Sequence, residues 1–136
     1  MPMPYMLDTN ICTYLIRRHP PEVLKRLSSL REGDVCMSVV VYAELLAGLE
    51  MQNQNRDSNE KVLGLLVERI RVLPFTEHAA TQYGVLRAAV RDRRRDALDR
   101  LIAAHAIAVG AVLVTNNEAD YRDYPGLRVE NWVQPA

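Results

Sequence analysis

The chain has 136 residues, near the commonest single-domain size, so residues 1–136 are expected to fold around one core. Hydrophobic residues make up 49% and charged residues 25%, a balance that excludes disordered and fibrous classes. The 17 basic and 17 acidic residues cancel, so net charge neither favours nor excludes nucleic acid and only its distribution informs.

The apolar stretches at 39–42 and 101–113 are too short, or too interrupted by His105, to span a bilayer roughly 30 Å thick. The opening MPMPYMLDTN lacks a basic region followed by a long apolar one, so a cytosolic location is expected. Residues 5–7 form a short apolar run that ends at Asp8, and a helical pattern through Ile11, Leu15 and Ile16 follows. Pro20 and Pro21 break that helix, and Val23, Leu24, Leu27 and Leu30 mark the next apolar stripe. Gly33 and Asp34 make a turn. Residues 35–41, rich in β-branched side chains, predict a buried strand, with a helix over 43–50.

Residues 52–59 are polar and suit an exposed loop or helix tip. Val62, Leu65, Leu66 and Ile70 predict one helical face, and residues 72–75 a strand. Thr76 is a plausible N-cap for a helix over 77–90 that presents Ala80, Tyr83, Leu86 and Val90 on one face. A helix over 98–109 stopped by Gly110, a strand over 111–115 and a short strand near 128–132 complete the chain. Strands alternating with helices predict an α/β fold with a mostly parallel sheet covered by helices, whose site lies at the carboxyl ends of the strands. Asp8 and the pair Asn116 and Asn117 both follow strands, so they are expected to converge.

Three acids stand where chemistry could use them. Asp8 at a strand-to-helix junction either caps the helix or faces a site, and capping is the commoner role. Glu44 is flanked by Ala43, Leu45 and Leu46, so it must be exposed, paired or bound to a cation. Asp99 precedes a strongly apolar helix, with Asp96 three residues earlier as the better candidate for complementing the helix dipole. Gathered together, such carboxylates would repel one another unless a hard divalent cation lay among them, and oxygen-only ligation suits Mg2+ or Mn2+. Arg87, Arg91, Arg93, Arg94 and Arg95 crowd into nine positions, read either as a solvated helix face or as an RNA contact. His105 and Trp132 read as core, and Cys12 and Cys36 as structural thiols without ligand spacing.

Four blocks carry a resemblance: MLDTNI at 6–11, S-x-x-x-x-A-E-L-L-x-G at 38–48, D-x-L-I-A-A-H-A at 99–106, and LVTNN followed by PGLRVENW between 113 and 132. In order and spacing they resemble the VapC toxins of type II toxin–antitoxin modules, which are PIN-domain ribonucleases. The resemblance implies a PIN-like three-layer α/β/α sandwich. It also implies a metal-dependent endoribonuclease that cuts structured RNA, a tRNA or ribosomal RNA loop, with Mg2+ or Mn2+ held by Asp8, Glu44 and Asp99. Where relatives carry a fourth acid this sequence has Asn116 and Asn117, so Asp120, or else Glu118, is expected to fill that place. Thr9, Asn10, Ser38 and Thr115 match polar pocket positions, and beside such a site the arginine run is better read as an RNA contact. The resemblance further implies a VapB-type antitoxin laid over the apolar surface near 11–16 and 45–49, a homodimer and a toxin–antitoxin hetero-oligomer. A non-catalytic PIN-like binding module, inert through loss of the fourth acid, is the rival reading.

Overall fold

A computed structural model describes residues 4–52, 54–92 and 96–133. Strand β1 (Tyr5–Leu7) leads through Asp8 into α1 (Thr9–Arg17), and α2 (Pro21–Ser28) begins at its prolines. A 3-10 turn at Glu32–Asp34 leads to β2 (Val35–Ser38) and α3 (Val39–Glu50). Then come α4 (Arg56–Arg69), β3 (Arg71–Leu73), α5 (Glu77–Ala89) and α6 (Ala97–Val109). Strand β4 (Val112–Val114), the short α7 (Glu118–Tyr121) and β5 (Val129–Glu130) follow. The strands form one sheet, ordered β3-β2-β1-β4-β5 and parallel throughout, in an α/β sandwich.

This order puts β1 in the middle, with β2 and then β3 on one side and β4 and then β5 on the other. The chain reverses its direction of travel across the sheet beside β1, which opens a crevice at the strand carboxyl ends there. The Asp8 amide donates to the Val114 carbonyl at 3.0 Å, so the residue after β1 is tied to the end of β4. The central strands are apolar because helices cover them: Met6, Leu7, Val35, Cys36, Met37, Leu113 and Val114 are all fully buried. Trp132 closes the core edge-on to Tyr5, with the Arg26 guanidinium over both rings and paired to Glu130 at 3.1 Å. Cys12 and Cys36 are buried free thiols.

Some sequence-based expectations are corrected. The strand predicted over 35–41 ends at Ser38, because the Ser38 hydroxyl accepts from the Val40 amide at 3.1 Å and starts α3. An N-cap bond outweighs the β preference of three consecutive valines. The polar stretch 52–59 is half loop, since α4 starts at Arg56. The inward face of α4 runs through Leu63, Leu66 and Ile70, whereas Leu65 is exposed. Ala79, not Ala80, joins Leu86 and Val90 on the buried side of α5. Asp96 is the N-cap of α6 in a left-handed conformation without a side-chain cap bond, so the first-turn acid is Asp99. Gly110 ends that helix at φ 73°, a conformation that suits glycine.

His105 is a core histidine. It is 1% exposed, packs edge-on to Phe75, and its Nδ1 lies 2.7 Å from the Ser38 hydroxyl, with burial lowering its pKa. Ser38 thus satisfies two groups at once, the α3 amide and the α6 imidazole. Ser38→Ala is expected to cost about 1–3 kcal/mol in urea unfolding, as a lost cap combined with a stranded buried histidine. A loss below about 0.5 kcal/mol would contradict the dual role.

Candidate active site

The crevice beside β1 holds a pocket of about 130 Å³ lined by Asp8, Thr9, Asn10, Glu44, Asp99, Asn117 and Tyr121. Each acid arrives on a different element. Asp8 comes at the end of β1, Glu44 from the second turn of α3 and Asp99 from the first turn of α6. Asp8 fills both roles considered for it: its Oδ1 accepts from the Ile11 amide at 2.9 Å as the α1 cap, and it also lines the pocket. The Thr115 hydroxyl donates to the same carboxylate, while its Oγ1 accepts from the Asn117 amide at 3.0 Å. The Thr9 hydroxyl donates to Glu44 at 2.7 Å, and the Tyr121 hydroxyl donates to Asp99 Oδ1 at 3.2 Å.

The electrostatics are adverse to three charged carboxylates. Burial pushes Asp8 from the ordinary 3.8 up to about 6, the negative charges of Asp99 and Glu44 push the same way, and the Thr115 and Ile11 bonds recover only part. Asp99 is raised as well, first by burial and then by Asp96, Asp120 and Glu44, against the Tyr121 hydrogen bond. Among the described residues no Lys, Arg or His forms an ion pair with Asp8, Glu44 or Asp99. Nor, among them, does any group of three or more His, Cys, Asp or Glu side chains stand close enough to hold a metal ion by itself. The donor set nevertheless fits a hard divalent cation. Its oxygens face an open pocket with room for several waters, and Mg2+ keeps much of its hydration when only a few carboxylates hold it.

The residues singled out in the sequence divide into groups. Asp8, Glu44, Asp99, Thr9, Asn10 and Asn117 share the pocket, and Thr115 stands behind Asp8. Ser38 does not line it and belongs to the His105 bond, and Asn116 donates from Nδ2 to the Tyr14 hydroxyl at 2.8 Å. Asp120 lies outside the lining, although its charge reaches Asp99, and Glu118 accepts from Asn131 at 3.1 Å. Arg87 closes the end of α5, donating to the carbonyls of Val90 at 3.4 Å and Arg91 at 2.9 Å. Arg91 borders a separate depression with Asp92 and Asp123, and Arg93, Arg94 and Arg95 lie outside the described residues. Tyr121 is the pocket residue that sequence reasoning missed. Its spacing of four from Asn117 was the available signal, since those positions share a helical face.

A second hollow, about 210 Å³, shares Thr9 and Glu44 with the acid pocket and runs on past Thr13, Ile16, Leu45 and Leu49 between α1, α3 and α4.

Comparison with known proteins gives concordant results. Residues 5–127 match the PIN domain family. The chain is 36% identical to Ribonuclease VapC2 of Rickettsia felis, over 96% of this chain and 98% of that protein. It is 38% identical to the tRNA(fMet)-specific endonuclease VapC of Shigella flexneri, over 94% and 97%. Its fold superposes with a TM-score of 0.87 on the crystal structure of VapBC2 from Rickettsia felis bound to a promoter DNA fragment, at 35% identity over 96% of this chain and 99% of the other.

The raised Asp8 value fixes the sign of a pH effect. Between pH 3.8 and about 6 the folded cation-free chain holds more proton on Asp8 than the unfolded chain, so stability falls as pH rises through that window. The decline from this group amounts to at most about 3 kcal/mol. Asp8→Asn, whose amide oxygen can still cap Ile11, is expected to remove the decline and raise Tm at pH 7, as measured by calorimetry without divalent ions. An unchanged pH profile would show that Asp8 is not strained by its surroundings.

Proposed function

The chain belongs to the PIN-domain family of VapC-type toxin ribonucleases, and from that premise we propose that it hydrolyses phosphodiester bonds of structured RNA with a divalent cation held by Asp8, Glu44 and Asp99. One observation carries the proposal: three carboxylates share a pocket in which, among the described residues, no basic side chain neutralises them. Asp8, Glu44 and Asp99 would hold Mg2+, or Mn2+ in its stead, which would supply positive charge for the phosphodiester and a means of activating water.

The chain's own residues prepare that chemistry. The Ile11 amide and the Thr115 hydroxyl fix Asp8, the Thr9 hydroxyl fixes Glu44, and the Tyr121 hydroxyl fixes Asp99. Orientation set before substrate arrives lowers the cost of assembling the reacting groups. Asn10 and Asn117 line the pocket with amides able to bond phosphate or ribose oxygens. For the fourth position the pocket favours Asn117 as the wall and Asp120 as a charge behind Asp99. Arg91, with Arg93, Arg94 and Arg95, is read as holding the RNA backbone, while Arg87 is engaged in capping α5. The similarity to a tRNA(fMet)-specific endonuclease supports a tRNA substrate.

The same similarity to VapBC complexes supports a VapB-type antitoxin as partner. The groove past Ile16, Leu45 and Leu49 fits its helix or extended segment, because an apolar floor there leads directly to Glu44. Occupation of that groove would close access to the acids. A homodimer, a hetero-oligomer with antitoxin, a cytosolic setting and a single domain over 1–136 complete the reading. No helix among the described residues is long and apolar enough to cross a membrane.

Antitoxin-free protein is expected to cut tRNA in Mg2+ and to stop in EDTA. Asp8→Asn or Asp99→Asn should lower the rate by at least about a hundredfold with the fold intact by circular dichroism. Cleavage that persists in EDTA, or in either variant at the wild-type rate, would contradict the assignment; wild-type protein inert in both Mg2+ and Mn2+ would favour the non-catalytic module.

A further inference from the structure

We infer that Tyr121 is a positioning residue of the acid pocket, its hydroxyl holding one oxygen of Asp99 so that the other is left to the cation; this rests on the reading of the pocket as a divalent-cation site. Tyr121 is 3% exposed, lines the pocket, and donates to Asp99 Oδ1 at 3.2 Å. Among the described residues this is the hydroxyl's only hydrogen bond. A phenylalanine would fill the same space against Tyr124, whose ring stands edge-on at 6.2 Å, so packing alone does not call for the oxygen.

The hydroxyl acts on the acid that most lacks fixing. Asp8 is held by a backbone amide and a threonine, and Glu44 by Thr9, whereas the Tyr121 bond is the one hydrogen bond to the Asp99 side chain among the described residues. Without it the carboxylate on the first turn of α6 would be free to turn, and binding a cation would first have to order it. The same bond ties α7 to α6. Helix α7 has only four residues, and its N-cap Asn117 makes no side-chain cap bond. The Tyr121 bond thus adds to the Asn117 amide bond to Thr115 and the Glu118 bond to Asn131 in holding α7 against the pocket.

The test is calorimetric titration of the full chain with MnCl2 or MgCl2 alone, at fixed pH and without RNA. Tyr121→Phe is expected to weaken cation binding about tenfold, in line with the loss of a bond that orients a ligand. Cleavage at saturating Mg2+ should fall much less than cleavage at low Mg2+, because the cation, once bound, orders Asp99 itself. Tyr124→Phe is the control. It removes a neighbouring buried hydroxyl that lies towards Arg100, outside the pocket, and is expected to leave cation affinity unchanged. A Tyr121→Phe chain that binds as tightly as wild type, or a Tyr124→Phe chain that weakens as much, would overturn the inference and leave the cation site standing. A wild-type chain that takes up neither cation would overturn the cation site itself and the inference with it.

Discussion

Negative charge without a counter-charge is the condition around which this molecule is arranged. Asp8, 4% exposed, sits between the end of the central strand and a helix start, and Glu44 and Asp99 face the same small space. Burial of one carboxylate is costly, and each added acid raises the cost. Proteins commonly answer such a cluster with an arginine or lysine, yet the described ion pairs lie elsewhere, at Arg26 with Glu130 and around Arg56. A fully buried arginine is next to Asp99 in sequence, but Arg100 is directed towards Tyr83 and Tyr124 instead. Stability is given up at the site, and a bound cation would restore it.

The fold makes the convergence unavoidable. With β1 central and parallel to both neighbours, the residue after β1 meets the residue after β4, as the Asp8 to Val114 bond records. The Ser38 cap aims α3, and its contact with His105 in α6 binds together the helices that carry Glu44 and Asp99. Backbone bonds, caps and a buried histidine thus set distances between acids that repel one another. Sites built on strand ends and helix starts are held more precisely than sites on loops, which suits chemistry that depends on orientation.

What the sequence disclosed followed the strength of local signals. The run from Tyr5 into Asp8 was legible because an apolar strand ending in an acid has few other uses, and the PIN resemblance rested on four blocks in order. The start of α3 was not, since Val39, Val40 and Val41 carry a strand signal that one serine hydroxyl overrides. Leu65 and Ala80 were set on the wrong faces because a one-residue error turns a helix by about 100°. Arg87 read as a contact for RNA because charge runs do not reveal which member bends back to cap its own helix. Tyr121 was passed over because a tyrosine between polar residues looks like packing until its hydroxyl is seen on Asp99. The fourth position stayed ambiguous because Asn117 and Asp120 are three residues apart, close enough for both to face one side of a short helix.

Whether a divalent cation is the missing counter-charge is tested most directly by carboxyl carbon NMR on the protein alone. The expected result is that Mg2+ shifts the carboxyl resonances of Asp8, Glu44 and Asp99 together and saturably, and draws the Asp8 pKa down from about 6. Carboxyl signals of these three residues that ignore Mg2+ and Mn2+, while other surface acids respond, would contradict it.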